Sequence, residues 1–159
     1  MLILNTGGTF NKRYDPIKGE LFVPADNFAV ESVVSAFGEP VAIEGLIYKD
    51  SLEMTDADRA VLCEAVASSE ESVIVIVHGT DTMDLSASAV AAIKCGKTVV
   101  FTGAMVPFGI DPVEATANLA MAIGYAANAP EGVHVVMQGV AGRYDQVKKN
   151  RELGKFEYV

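Results

Sequence analysis

The feature that most constrains this chain is a series of short, β-branched apolar runs separated by segments of helical length. The runs are Leu2-Ile3-Leu4-Asn5, Val41 to Tyr48, Val73 to Val77, Thr98 to Thr102 and Val133 to Met137, several of them apolar almost without interruption. A strand with no polar side is covered on both faces, as in a parallel sheet flanked by helices. Between the runs lie Phe28 to Phe37, Asp56 to Ser68, Met83 to Lys94 and Pro112 to Ala127, each long enough for a crossover helix. Repeated βαβ units predict an α/β fold, a three-layer α/β/α arrangement around a mostly parallel sheet.

The helix ends carry their own signals. Asp111-Pro112-Val113-Glu114 offers an acidic N-cap, a proline at N1 and a carboxylate at N3, and Thr55-Asp56-Ala57-Asp58 is a weaker capping box. Lys94-Cys95-Gly96 puts a cation in a last turn and a glycine where a left-handed cap is usual. From Phe10 to Pro24 there is no period and many turn formers, so this stretch reads as a loop that can end in a short hairpin. No internal repeat or composition shift divides the chain.

Composition excludes several partners. Lys and Arg number 12 against 21 Asp and Glu, a net charge of −9, and the one basic cluster is Lys148-Lys149-Asn150-Arg151, which argues against nucleic acid. No apolar run nears the ~20 residues that span a bilayer, and the N-terminus lacks a basic region before its apolar run. Cys63 and Cys95 lie in apolar surroundings without C-x-x-C spacing or a neighbouring His, so they read as buried free thiols; no metal site or organic cofactor is expected. A cytoplasmic, reduced protein follows as the expectation.

In an open α/β sheet, ligands bind beyond the carboxyl ends of the strands. Three such turns stand out: Thr6-Gly7-Gly8-Thr9, His78-Gly79-Thr80-Asp81-Thr82-Met83, and Gly103-Ala104-Met105. In the first, glycines leave backbone N–H groups free beside hydroxyls, a nucleophile with oxyanion donors or a plain capped turn. The second crowds an imidazole, two hydroxyls and a carboxylate ahead of a helix; capping accounts for one such residue better than for four. His78 reads as a structural hydrogen-bonder, and His134, within an apolar run, as a satisfied core or edge residue. Gly96-Lys97-Thr98 precedes a strand and lacks the earlier glycine, so it is no phosphate loop.

Asn5-Thr6-Gly7-Gly8-Thr9-Phe10 together with His78-Gly79-Thr80-Asp81-Thr82-Met83 resembles the paired signature of the bacterial-type L-asparaginase/glutaminase family. Gly103-Ala104-Met105, Asn118-Leu119 and Gly142-Arg143 followed by Lys148 fit the same pattern. The resemblance implies an asparaginase N-terminal-domain-like fold of Rossmann/flavodoxin-like type, one domain over 1–159, without the family's C-terminal domain. It implies an amidohydrolase that converts the side-chain amide of asparagine, or a related small amide, to the acid and ammonia. Thr6 would be the acylated nucleophile, with Thr80, Asp81 and Lys148 as a polar triad and Lys149 as a rival to Lys148. Tyr14 would be the loop tyrosine, and Gly8, Ser51, Thr80, Asp81 and Ala104 would bind substrate.

Where the family carries a polar residue after Ser51, this chain has Leu52, and Glu114 stands for the usual Asp. The family's site is completed by a neighbouring subunit, so at least a homodimer is expected. Two other readings remain open: a binding protein for an amino acid or amide with weak or no turnover, and an amidase subunit of a larger ammonia-delivering assembly.

Overall fold

The computed structural model describes residues 1–159. β1 (Leu2–Gly7) leads through a 3-10 turn, Thr9–Asn11, into a hairpin of β2 (Arg13–Asp15) and β3 (Glu20–Phe22). Next come α1 (Phe28–Val34), β4 (Ala42–Lys49), a 3-10 turn at Ser51–Glu53, and α2 (Asp56–Ser68). Then follow β5 (Val73–Val77), α3 (Met83–Ala92), β6 (Thr98–Thr102), α4 (Pro112–Ala126), β7 (Gly132–Met137), β8 (Val140–Arg143), β9 (Val147–Asn150) and β10 (Lys155–Tyr158).

The main sheet has six strands in the order β4-β1-β5-β6-β7-β8, parallel except for the antiparallel pair of β7 and β8. The α/β architecture expected from the apolar runs is present. Successive residues of a strand point to opposite faces, and both faces are covered. Leu4, Ile74, Ile76, Val99 and Phe101 pack with Leu62 and Val66 of α2 and Met83, Ala87 and Val90 of α3. Ile3, Val75, Val77 and Val100 pack with Val30 and Val33 of α1 and Ala115, Leu119 and Ala122 of α4. This double coverage is why the runs carry no polar alternation, and each fully buried Val or Ile contributes roughly 1.5–3 kcal/mol relative to exposure.

The N-terminal helix caps form as the sequence foretells, with one difference. Thr55 and Asp58 complete a capping box, and Asp111 accepts from the Val113 N–H ahead of Pro112. Glu114, however, does not fold back on its own helix: its carboxylate accepts from the N–H groups of Met105 and Val106 and so ties down the turn after β6. The cation expected in the last turn of α3 is not there: the helix ends at Ala92 with Ile93 as C-cap, and Lys94 lies beyond it, itself left-handed at φ 47° ahead of Gly96 at 71°.

One crossover breaks the usual handedness. The connections through α3 and α4 step in the same direction along the sheet but lie on opposite faces, so they are of opposite hand. The connection through α1 steps the other way on the face of α4, and that through α2 shares both step and face with α3. Three crossovers therefore agree, and β6–α4–β7 is the exception to a rule that holds in about 98% of cases.

Candidate active site

Chains leaving β1 and β5 for α1 and α3 depart toward opposite faces, which opens a crevice beyond the carboxyl ends of these adjacent strands. The first turn fills one side of it. Gly7 and Gly8 have φ of 92° and 70°, a region L side chains rarely adopt. Asn5 Oδ1 accepts from the Gly7 N–H at 3.0 Å, and Asn5 Nδ2 donates to Asn27 Oδ1 at 3.0 Å. Thr6 is fully buried and its hydroxyl donates to the Val77 carbonyl at 2.8 Å.

The second turn lies directly on the first. A Cβ on Gly8 would stand 2.4 Å from the Gly79 nitrogen, and one on Gly79 would stand 2.6 Å from Ser51 Oγ. Backbones approach this closely only where side chains are missing. Ser51, held at the end of β4 by its 3-10 turn, accepts from the Asp81 N–H at 3.3 Å and, through its carbonyl, from Thr82 Oγ1 at 2.8 Å. None of the polar side chains in this turn caps α3: its N-cap, Thr82, makes no capping bond, and Thr80 and Asp81 are engaged elsewhere.

Their partner is Lys149, whose Nζ donates to Thr80 Oγ1 at 2.9 Å and to Asp81 Oδ1 at 2.8 Å. The expectation that Lys148 fills this position is corrected here. Alternation along β9 puts Lys149 on the same side as the buried Val147, while Lys148 is exposed and faces Glu157 across the ladder with β10. Arg151, which sequence reasoning missed, also reaches Asp81: Nη2 donates to its carbonyl at 2.6 Å and Nη1 lies 3.8 Å from Oδ1. Its signal was the register of a hairpin too short and polar to be seen.

Two further placements, those of Gly8 and Tyr14, depart from expectation. The N–H of Gly8 donates to the Lys49 carbonyl at 2.9 Å, so it does not face the crevice as an oxyanion donor. Tyr14 is 59% exposed on β2, with its hydroxyl over Gly19 of its own hairpin and no hydrogen bond to Thr6. Ala104 is fully buried in the apolar layer beside α1 and α4, leaving it no side chain to offer a ligand. The thiols of Cys63 and Cys95 are free, though half-buried; burial first, and the nearby Cys95 second, push the Cys63 thiol up.

Electrostatically the crevice alternates in sign. Burial pushes the Asp50 carboxyl up, but hydrogen bonds from Lys12 and the Leu52 N–H, helped by the charges of Lys12 and Lys149, hold it below its ordinary range. Asp81 is flanked by Lys149 and Arg151. His134, on the far rim, is satisfied by the Tyr125 hydroxyl and the Pro130 carbonyl.

Paired glycine turns and a Lys–Thr–Asp cluster thus meet at the switch point of a mostly parallel α/β sheet. Residues 1–154 match the family model described as Asparaginase, N-terminal, and the chain belongs to that family. It is similar to the structure of the thermostable L-asparaginase from Thermococcus kodakarensis, with a TM-score of 0.85 and 26% identity over 99% of this chain and 50% of that one. L-asparaginase I from Vibrio cholerae gives 0.77 and 29%, again over 99% and 50%. A subunit of the glutamyl-tRNA(Gln) amidotransferase from Pyrobaculum aerophilum is 31% identical over 140 residues, 85% of this chain and 34% of the relative. The chain thus spans between a third and a half of these relatives' length.

Proposed function

We propose that the chain hydrolyses the side-chain amide of asparagine, or of a related small amide, through an acyl-enzyme on Thr6. The observation that carries this reading is the Lys149 bridge to Thr80 and Asp81, beside a turn that holds Thr6 at the same rim of the sheet. In the first half-reaction the Thr6 hydroxyl leaves the Val77 carbonyl and its Oγ bonds to the amide carbon. The hydroxyl proton passes to the departing nitrogen, the C–N bond breaks and ammonia leaves. Water then cleaves the ester, releasing the acid and returning a proton to Thr6 Oγ. Threonine is a weak nucleophile at neutral pH, so preorganised donors must stabilise the tetrahedral oxyanion. The Thr80 N–H, which has no acceptor within the protein, is the donor in this reading. Lys149 orients the Thr80 hydroxyl, and Ser51 and Asp81 hold the amino-acid end of the substrate.

The test is ammonia release from asparagine, glutamine and simple primary amides, run beside Thr6→Ala. The variant is expected to lose at least about 10³-fold in rate with an unchanged far-UV CD spectrum; full activity in Thr6→Ala would reject the mechanism. A second reading is an amidase subunit that supplies ammonia to a partner, favoured by the likeness to the amidotransferase polypeptide. In that case ammonia appears only when the partner protein is added. A third, a binding protein without turnover, is favoured by the enclosed Thr6 hydroxyl and by the 66% exposed Leu52; saturable binding of aspartate with no ammonia released would select it.

A further inference from the structure

Within the second turn, the proposed chemistry leaves the titratable side chain of His78 without a task. His78 is fully buried, with its ring edge-on to Phe101 at 5.8 Å between centroids. Its N–H donates to the Thr102 carbonyl at 2.8 Å, one residue beyond the end of β5, and its carbonyl lies so close to Gly103 that a Cβ there would stand 2.3 Å away. The residue is therefore fixed from both sides.

Its Nδ1 lies 2.7 Å from the Gly79 carbonyl oxygen. A carbonyl can only accept, so Nδ1 carries the proton and Nε2 is a bare lone pair. That lone pair is buried with no partner. Burial above all pushes the His78 pKa down to about 4, with the hydrogen bond to Gly79 opposing, so the ring is neutral at physiological pH. Nε2 is enclosed and meets no substrate, which excludes His78 as a general base.

The Gly79 oxygen belongs to the Gly79–Thr80 peptide. No peptide bond in the chain is cis, so the carbonyl and the N–H of this unit point in opposite directions. Pinning the carbonyl on the imidazole therefore turns the Thr80 N–H away from His78. Glycine restrains its own backbone least of all residues, so this peptide needs an external hold. We infer that His78 is a positioning residue: its Nδ1–H···O=C bond to Gly79 sets the Gly79–Thr80 peptide so that the Thr80 N–H receives the oxyanion. This rests on the amide hydrolysis proposed above.

The side-chain nitrogen of Asn can occupy the place of Nδ1, whereas that of Gln occupies the place of Nε2. A single oxyanion donor is worth roughly 10²–10³ in kcat, and misaligning one should cost somewhat less. His78→Gln is expected to lower kcat by about 10–100-fold with KM within about threefold, and His78→Asn to stay within about fivefold of the wild type. With an active wild type, equal loss in both variants, or undiminished kcat in His78→Gln, overturns the inference and leaves the hydrolase reading intact.

If the wild type releases no ammonia from any amide, the hydrolase reading fails on its own. Crystal structures of the two variants then decide the positioning: a Gly79–Thr80 peptide kept in His78→Asn and turned in His78→Gln supports it, and one unchanged in both overturns it. Imidazole ¹⁵N spectra of the wild-type chain need no variant to fold. The Nδ1–H tautomer at His78 supports the inference, and the Nε2–H tautomer overturns it.

Discussion

At the scale of single residues, the turns were legible and the lysine was not. Thr6, Thr80 and Asp81 stand at the ends of strongly apolar runs, where a local pattern fixes which residue emerges at the rim, whereas Ser51, after the half-polar β4, was legible only through the family resemblance. Lys148 and Lys149 are adjacent in a four-residue strand, and only pairing with β10 decides which of them points inward. Lys149→Met should reduce ammonia release by about 10²-fold or more, because it frees the Thr80 hydroxyl and removes a charge beside Asp81. Lys148→Met, by contrast, should stay within about twofold of the wild type. Steady-state rates on asparagine for the two variants measure the difference; a reversed ranking would return the role to Lys148. Arg151 remains against Asp81 in either variant, so little stability is at stake.

At the scale of elements, hydrophobic period and caps disclosed all four helices and the five strands of the parallel core, within three residues at the helix ends. β8, β9 and β10 escaped notice because each is four residues long and polar on at least one side. The contacts between turns were equally hidden, since a glycine in a sequence does not say what lies against it. Two glycines make this measurable. At Gly103 an added methyl would meet the His78 carbonyl at 2.3 Å, so Gly103→Ala should destabilise the chain by about 2 kcal/mol, a fall in Tm of roughly 4–8 °C. Gly124 lies within α4 with nothing within 4 Å of its missing Cβ. There Gly124→Ala should stabilise by about 0.5–1 kcal/mol. Thermal melts of the two variants should move in opposite directions.

At the scale of the whole molecule, periodicity announced the layers but could not say which helix covers which face. The odd-handed β6–α4–β7 crossover is therefore illegible in the sequence and follows from the packing of Leu119 and Ala122 of α4 on the side of Val30 and Val33. Global stability carries the signature of the crevice through His78. Its pKa is pushed down to about 4 from the ordinary 6.5, so the unfolded chain binds the extra proton between those values. Stability should then rise with pH across that window and be lost as pH falls from about 6.5 toward 4, by on the order of 3 kcal/mol. Denaturant unfolding at pH 4.5 and 7.5 reads this dependence, and in His78→Asn that component should vanish while the carboxylate contributions persist. The seating of Gly8 on the Gly79 backbone gears the two loops together. Any side chain added at Gly8 must push the Gly79 backbone aside, so a single substitution in the turn that bears Thr6 also displaces the segment that bears the Thr80 N–H.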